Sequence, residues 1–334
     1  MLVQLGLLAG SLLVLTLGAE GLVRGSASLA KRMGVSSFFI GLTIVGFGTS
    51  TPELATSVTA AIRGSADIAV GNVVGSNICN IALILGVASL ICPIALKLDL
   101  VRRETFIVIA VACVPWIALT SGGRLERWHG AAMLAGLLVY LWLGYVRGRR
   151  DAQREAAAAA ERELEHELGL DKPGPMTRPL VCVAMVLAGL ALLVGGSYML
   201  VSSASEIARS LGISELVIGL TIVAVGTSAP ELFTSVVAAV RGQPDLAVGN
   251  VLGSNVFNIL GILGITCLAT PQAVSRQVLW FDVPVMLAAS LACLPIMLSG
   301  ARISRAEGAA LLCGYGLYVA GLFTVVGGWF GEQP

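Results

Sequence analysis

Two glutamates occupy equivalent positions in a duplicated part of the chain, and each lies within an apolar sequence. Residues 41–86, which begin GLTIVGFGTSTPEL, align without a gap with residues 219–264, which begin GLTIVAVGTSAPEL, and 32 of the 46 aligned positions are identical. The constant offset of 178 pairs Glu53 with Glu231. An acidic residue inside hydrocarbon is costly and is a candidate functional group. Two such carboxylates, one from each copy, therefore predict a single cation site.

The residues just before each glutamate supply further oxygen ligands. In GTSTPE and GTSAPE the proline has no N–H, and it therefore leaves the carbonyl oxygen of Gly48 or Gly226 without its helical partner. Nearby glycines allow the backbone to unwind there. Inside a membrane a freed carbonyl must find a partner or line a cavity. At helical spacing each glutamate also shares a face with hydroxyl groups, those of Thr49, Ser57, Thr227 and Ser235.

The next segment of each copy carries a stripe of neutral polar side chains. Its members follow a spacing of four residues and are Asn72, Ser76 and Asn80, matched by Asn250, Ser254 and Asn258. The spacing leaves open whether Asn72 and Asn250 contact an ion or cross-link helices. Neighbouring glycines predict close packing against the interrupted helix, namely Gly71, Gly75, Gly249 and Gly253. Oxygen ligands without histidine or thiolate suit calcium, sodium or magnesium better than zinc or copper.

The composition is that of a membrane protein. Apolar residues make up 56% of the chain and charged residues 12%, and the mean hydropathy is +0.89. The net charge of +1 gives no reason to expect a nucleic-acid partner. The seven cysteines lie in apolar sequence without a CxxC pair, which is typical of small core residues. The amino-terminal sequence has no basic n-region, so we interpret it as a first span and not as a signal peptide.

We predict an all-α integral membrane protein with ten transmembrane helices, because a bilayer core requires about 20 apolar residues per helix. The predicted spans are 2–22, 36–62, 67–92, 103–120, 128–146, 179–200, 214–240, 245–268, 279–298 and 306–327. Residues 1–146 form the first five-helix repeat, 147–178 a linker, and 179–334 the second repeat. Because five is odd, the second repeat enters the membrane inverted, a layout used by alternating-access carriers.

The distribution of basic residues predicts the orientation. With both termini outside, 16 of the 21 Lys and Arg residues lie on the inner side, as the positive-inside rule requires. The linker 147–178 is then cytosolic. Its alanines, glutamates and arginines favour a short exposed helix that Lys172–Pro175 ends. We interpret it as a connection between the halves, since it is too short for a folded sensor domain; the alternative is a regulatory element.

The energetics of the paired glutamates favour exchange. Two ionised carboxylates about 6 Å apart repel by about 3 kcal/mol at an effective dielectric constant near 20. A divalent cation, sodium ions or protons remove this repulsion, so the empty site is the unfavourable state. A cation channel, an intramembrane enzyme and a scaffold are the rivals from other classes. The sequence shows no nucleophile–histidine pair, HExxH or DDxxD-like cluster, which disfavours the enzyme.

At these motifs the chain resembles the cation/calcium exchanger superfamily, in its prokaryotic sodium/calcium exchanger branch. GTSTPE with GNVVGSNICN resembles the first alpha repeat of that family, and GTSAPE with GNVLGSNVFN resembles the second. The resemblance implies a secondary antiporter in the plasma (inner) membrane, without a cofactor, that exchanges Ca²⁺ for Na⁺ as a monomer. The proton-coupled branch usually carries GNxxE in place of GTSxPE, which favours sodium; a Ca²⁺/H⁺ antiporter using the same glutamates is the alternative.

The resemblance also implies roles for individual residues. Glu53 and Glu231 would bind calcium together with Thr49 and Thr227. Sodium would use overlapping oxygens, those of Ser50, Ser76, Ser228 and Ser254 and of the backbone at Gly46 and Ala224. Asn80 and Asn258 would line the middle of the site. Potassium-dependent members carry aspartate at the position of Asn258, so the asparagine disfavours potassium co-transport.

Overall fold

The fold is helical throughout the part of the chain that is described. The computed structural model describes residues 2–165, 179–212, 222–298 and 302–328. Within these ranges the only strands are four segments of two residues each. The prediction of an all-α membrane protein is therefore confirmed. Predictions for residues 166–178, 213–221, 299–301 and 329–334, among them the helix end at Lys172–Pro175 and the start of the seventh span, lie outside the described residues.

Every predicted span coincides with helical sequence where it is described. In the described part of the chain, six helices are each long and apolar enough to cross a membrane, and a seventh is obtained if the bent second span counts as one. The helical segments, in span order, are Leu2–Met33; Ser37–Thr49 with Thr51–Ile62; Ala66–Ile91; Leu98–Ala112 with Val114–Ser121; Arg127–Glu165; Pro179–Ser210; Ala224–Thr227 with Ala229–Val240; Pro244–Ala269; Val278–Asp282 with Val283–Leu298; and Arg305–Gly328.

The first and sixth spans are longer than predicted, and they pack along each other. Each helix has 32 residues, Leu2–Met33 and Pro179–Ser210, because the backbone stays helical beyond the apolar stretch that hydropathy detects. Glycines bring the two backbones together. A β-carbon on Gly18 would lie 2.9 Å from the carbonyl oxygen of Gly189, and one on Gly189 would lie 2.6 Å from the backbone nitrogen of Leu22. The crossing therefore joins the two halves by direct backbone contact.

The fifth span does not end where the linker was predicted to begin. One helix of 39 residues runs from Arg127 to Glu165. Residues 147–165 are therefore helical, as their alanine-, glutamate- and arginine-rich sequence predicted. They continue the helix of the fifth span and do not form a short helix of their own. The predicted boundary between residues 146 and 147 lies inside this helix.

Two small strand pairs tie the loops of the two halves together. Ile94–Ala95 pairs antiparallel with Arg302–Ile303, and Arg124–Leu125 pairs antiparallel with Gln272–Ala273. The sequence analysis did not predict these strands. An offset of 178 maps each strand of one pair onto a strand of the other. The pairs therefore follow the same internal symmetry as the duplicated motifs.

The third and eighth spans form the centre of the protein. In the most apolar 18-residue window, 72% of the third span and 89% of the eighth are buried, whereas 22–33% is buried in the other helices long enough to cross a membrane alone. Gly249 and Gly253 of the eighth span pack against the second span: a β-carbon on Gly249 would lie 2.5 Å from the carbonyl oxygen of Phe38. This confirms the predicted glycine contact in the second half. The corresponding partner of Gly71 and Gly75 falls in residues 213–221, outside the described part.

The backbone contact between the first and sixth spans predicts a large difference between two glycine variants of one helix. We expect Gly189→Ala to lower the free energy of unfolding by about 1–3 kcal/mol, because the new methyl group overlaps the backbone of Leu22. Gly195→Ala is the control, since a β-carbon there meets nothing within 4 Å among the described residues. Thermal unfolding of purified protein in detergent measures both. Equal unfolding midpoints for the two variants would contradict the tight crossing.

Candidate cation site

Both repeat motifs interrupt a helix at a serine. Ser50 has φ −80° and ψ 9°, and Ser228 has φ −86° and ψ 7°, values that break the regular α-helical course. The proline that follows occupies the first turn of the next helix, where a missing N–H costs nothing. In the second span the two helical parts meet at an angle of 45°. The predicted interruption is therefore present in both halves, with the glutamate one turn beyond it.

One of the two carbonyl oxygens predicted to be free already has a partner. The hydroxyl of Ser197 in the sixth span donates a hydrogen bond of 2.7 Å to the carbonyl oxygen of Gly226. Of the two alternatives expected for a freed carbonyl in a membrane, this carbonyl therefore takes the first, since a hydroxyl from a neighbouring span is its partner. Ala19 occupies the equivalent position in the first half and has no hydroxyl to offer Gly48.

The two glutamates belong to one site, because each is bonded to a serine of the other half. Glu53 and Glu231 are both 1% exposed. The Ser228 hydroxyl donates to Glu53 Oε1 at 2.9 Å, and the Ser50 hydroxyl donates to Glu231 Oε1 at 2.8 Å. Each serine lies at the interruption of its own helix and bonds the carboxylate that follows the interruption in the opposite repeat. The fold therefore brings together four of the predicted site residues, Glu53, Glu231, Ser50 and Ser228.

Four side-chain oxygens of the predicted ligands are buried and have no hydrogen-bond partner among the described residues. They are Glu53 Oε2, Glu231 Oε2, Asn80 Oδ1 and Asn258 Oδ1. Leaving a buried acceptor unsatisfied costs free energy, and the cost is greatest for an ionised carboxylate. The four atoms form two symmetry-related pairs, one carboxylate and one amide oxygen from each half. Such a donor set fits a hard cation.

In the polar stripe of the third and eighth spans, the first asparagine of each half cross-links two helices. Asn72 donates to the Ser57 hydroxyl at 2.9 Å and to the Glu53 carbonyl at 3.2 Å. Asn250 makes the same two contacts in the other half, to the Ser235 hydroxyl at 2.9 Å and the Glu231 carbonyl at 3.3 Å. The side-chain nitrogens of both asparagines thus hold the broken helices against the central ones, which is the cross-linking alternative that the sequence left open.

Three of the other predicted ligands, Thr49, Gly46 and Ser254, lie beside the first interruption. The fully buried Thr49 hydroxyl is 3.0 Å from the Val45 carbonyl and 3.2 Å from Asn250 Oδ1. Ser254 donates to the Gly46 carbonyl at 3.3 Å, which places that carbonyl at the contact between the halves. Thr227 and Ser76 are buried, and Ala224 begins the short helix that ends at Thr227.

Two buried asparagines at the site were missed by the sequence analysis. Asn77 and Asn255 are 3% and 1% exposed, and they bond the asparagines of the opposite half. Both are identical in the two copies, so the duplication contained the signal. The four-residue stripe excluded them. It followed only a spacing of four residues, whereas Asn77 and Asn255 lie three residues before Asn80 and Asn258, a spacing that also shares a helical face.

A second duplicated polar set lies outside the site and was also missed. Tyr140 donates to Glu104 Oε2 at 3.1 Å, and Tyr318 donates to Asp282 Oδ1 at 3.0 Å. The offset of 178 relates the two acids and the two tyrosines. Both acids are almost fully buried. The first pair connects the fourth and fifth spans, and the second pair connects the ninth and tenth spans.

A many-span membrane protein whose two halves share one buried, oxygen-lined site belongs to the class of secondary transporters and not of enzymes. The sequence model of the family described as "Sodium/calcium exchanger protein" matches residues 3–146 and 181–324, and the chain belongs to this family. The two matched ranges are the two halves of the molecule.

Individual relatives agree with the family. The chain is 39% identical to a putative antiporter, CaxA, of Alkalimonas amylolytica over 94% of its own length and 96% of that protein. It is 34% identical to the sodium/calcium exchanger MaX1 of Methanosarcina acetivorans, over 94% and 97%. The structure resembles that of the sodium-calcium exchanger NCX_Mj soaked with 2.5 mM Na⁺ and 0.1 mM Ca²⁺, with a TM-score of 0.79, 29% identity and coverage of 96% and 99%.

The hydrogen bond from Ser197 to Gly226 predicts a specific stability effect. We expect Ser197→Ala to lower the free energy of unfolding by about 1 kcal/mol or more, because the freed carbonyl oxygen loses its partner. Ser203→Ala in the same helix is the matched control, since among the described residues that buried hydroxyl donates only to the carbonyl of Met199, in the preceding turn of its own helix. Thermal unfolding of the two variants side by side checks this. A loss in Ser203→Ala as large as in Ser197→Ala would be incompatible with it.

Proposed function

We propose that this protein exchanges Ca²⁺ for Na⁺ across the membrane by alternating access. The observation that carries the proposal is the symmetric pair Glu53 and Glu231. Each has one oxygen bonded to a serine of the other half and one buried oxygen with no partner among the described residues. A divalent cation between two carboxylates cancels their charge. Sodium ions can do the same in turn, so a site that must always be loaded exchanges one cation type for the other.

The proposed ligands follow from this arrangement. Calcium binds between Glu53 and Glu231, with Thr49 and Thr227 as neutral ligands. Sodium uses overlapping oxygens around the same interruptions, and Asn80 and Asn258 face the middle of the site. The ligands proposed for sodium are the hydroxyls of Ser50, Ser76, Ser228 and Ser254 and the carbonyls of Gly46 and Ala224. The name of MaX1 and the ions in the NCX_Mj structure support the choice of calcium and sodium.

The proposed setting is the inner membrane of a prokaryote, with the monomer as the functional unit. The excess of Lys and Arg in alternate loops supports an orientation with both termini outside and residues 147–178 in the cytosol. The domain division into 1–146, 147–178 and 179–334 is retained as a division of the sequence, with the helix of the fifth span continuing into the linker. The first and sixth spans are proposed to move about a fixed central site.

The central test is the loss of exchange when one carboxylate is neutralised. In proteoliposomes loaded with sodium and diluted into sodium-free buffer, we expect calcium uptake by the unaltered protein. We expect Glu53→Gln or Glu231→Gln to lower its rate by about 100-fold or more, since half of the attracting charge is removed. Asp67→Asn is the control, because this exposed acid lies in the first turn of the next helix. Uptake that survives both glutamine substitutions would refute the proposed site.

The coupling ion is tested with the same vesicles. We expect uptake under an outward sodium gradient and none under a matched pH gradient without sodium. Uptake driven only by the pH gradient would instead establish the Ca²⁺/H⁺ antiporter. If three sodium ions exchange for one calcium, each cycle moves one net charge, and a potential-sensitive dye then reports a voltage during uptake.

A further inference from the structure

Asn77 and Asn255 bond the very asparagines that were predicted to face the cations. The side-chain nitrogen of Asn258 donates to Asn77 Oδ1 at 3.0 Å, and that of Asn80 donates to Asn255 Oδ1 at 3.0 Å. Both bonds cross between the halves. All four side chains are at most 3% exposed, so their hydrogen bonds are made in the interior, where an unmade bond is expensive.

These bonds decide which end of each amide is left to meet a cation. An asparagine side chain carries two N–H donors on one side and an acceptor oxygen on the other. Because the nitrogens of Asn80 and Asn258 are held by their partners, their oxygens are the atoms that are buried and unpartnered among the described residues. A half-turn of either amide would present N–H groups, which repel a cation.

The polarity of Asn77 is itself fixed by the backbone. Its nitrogen donates to the carbonyl oxygen of Asn255 at 3.3 Å and contacts the sulfur of Met286 at 3.5 Å. A backbone carbonyl can only accept, so the oxygen of Asn77 must face Asn258. Asn255 has no such constraint, since its side-chain nitrogen lacks a partner among the described residues. Val108 occupies the position equivalent to Met286.

We infer that Asn77 and Asn255 are positioning residues, which turn the side-chain oxygens of Asn258 and Asn80 toward the transported cations. Neither residue touches an ion in this arrangement. The inference rests on the proposed cation exchange and adds to it a pair of residues that act through the ligands. It also makes the two proposed ligands unequal. The orientation of the Asn258 side chain is fixed by Asn77, which itself bonds a backbone carbonyl. The orientation of Asn80 depends on Asn255, whose side-chain nitrogen has no partner among the described residues.

A double-mutant cycle tests the inference. The apparent KM for calcium and the maximal uptake rate are measured in sodium-loaded proteoliposomes for Asn77→Ala, Asn258→Ala and the double variant. We expect Asn77→Ala to raise the KM about fivefold, the scale of one lost hydrogen bond, and to leave the maximal rate within about twofold. In the Asn258→Ala background the same change should leave the KM unaltered. If the two increases in KM multiply instead, Asn77 does not act through Asn258 and the inference fails.

The second half of the site gives an independent cycle. Asn255→Ala removes only the acceptor of Asn80 among the described contacts. If Asn77→Ala does not elute as a folded, monodisperse protein, the same measurements are made on Asn255→Ala, Asn80→Ala and the double variant. The same criterion, whether the increases in KM multiply, then decides the question. The unfolding midpoint of every variant is recorded. Exchange by the unaltered protein distinguishes the proposed cation exchange from the positioning role. If the unaltered protein shows no exchange, the proposed function is refuted. If it exchanges cations but the increases in KM of the single variants multiply in the double variant, only the positioning role is refuted.

Discussion

The structure depends on two carboxylates that are held where water cannot solvate them. Glu53 and Glu231 are almost completely buried, and among the described residues only one oxygen of each carboxylate has a hydrogen-bond partner. In the proposed exchanger the missing stabilisation comes from the positive charge of the transported cations. The interrupted helices carry the serines that bond the carboxylates, and the asparagines at 72 and 250 hold those helices against the buried third and eighth spans. Each of these features keeps the charged pair together and dry.

Much of this arrangement could be read from the sequence, because duplication marks side chains that both halves need. Glu53, Ser50 and their equivalents stand in motifs that repeat without a gap, and proline at 52 and 230 identifies the interruption. Asn77 is duplicated too, but the sequence analysis followed only a spacing of four residues and so passed over a residue that lies three positions before Asn80. Hydropathy likewise placed the end of the first helix too early. It measures suitability for lipid, whereas the helix persists into its polar residues, where Glu20 pairs with Arg24 one turn later and with Arg241 of the second half.

The two halves are related by sequence but are not equal in their contacts. Ser197 satisfies a carbonyl oxygen of the second interruption, and its equivalent in the first half is alanine. Met286 contacts Asn77, and its equivalent is valine at 108. An inverted repeat with identical halves would have the same free energy whichever face of the membrane its site opened to. Small substitutions of this kind remove that equality, so the protein can favour one orientation of the site without losing the paired carboxylates.

The glycine crossing of the first and sixth spans has a mechanical consequence. At Gly18 and Gly189 the backbones are too close for any side chain to lie between them, and the two helices come from opposite halves of the chain. A shift of one helix is therefore transmitted directly to the other. Under the proposed alternating access, a displacement that uncovers the site on one face covers it on the opposite face, since the halves are inverted. In the proposed exchanger the crossing thus acts as an interlock against an open pore, which keeps a calcium gradient from being dissipated by leakage.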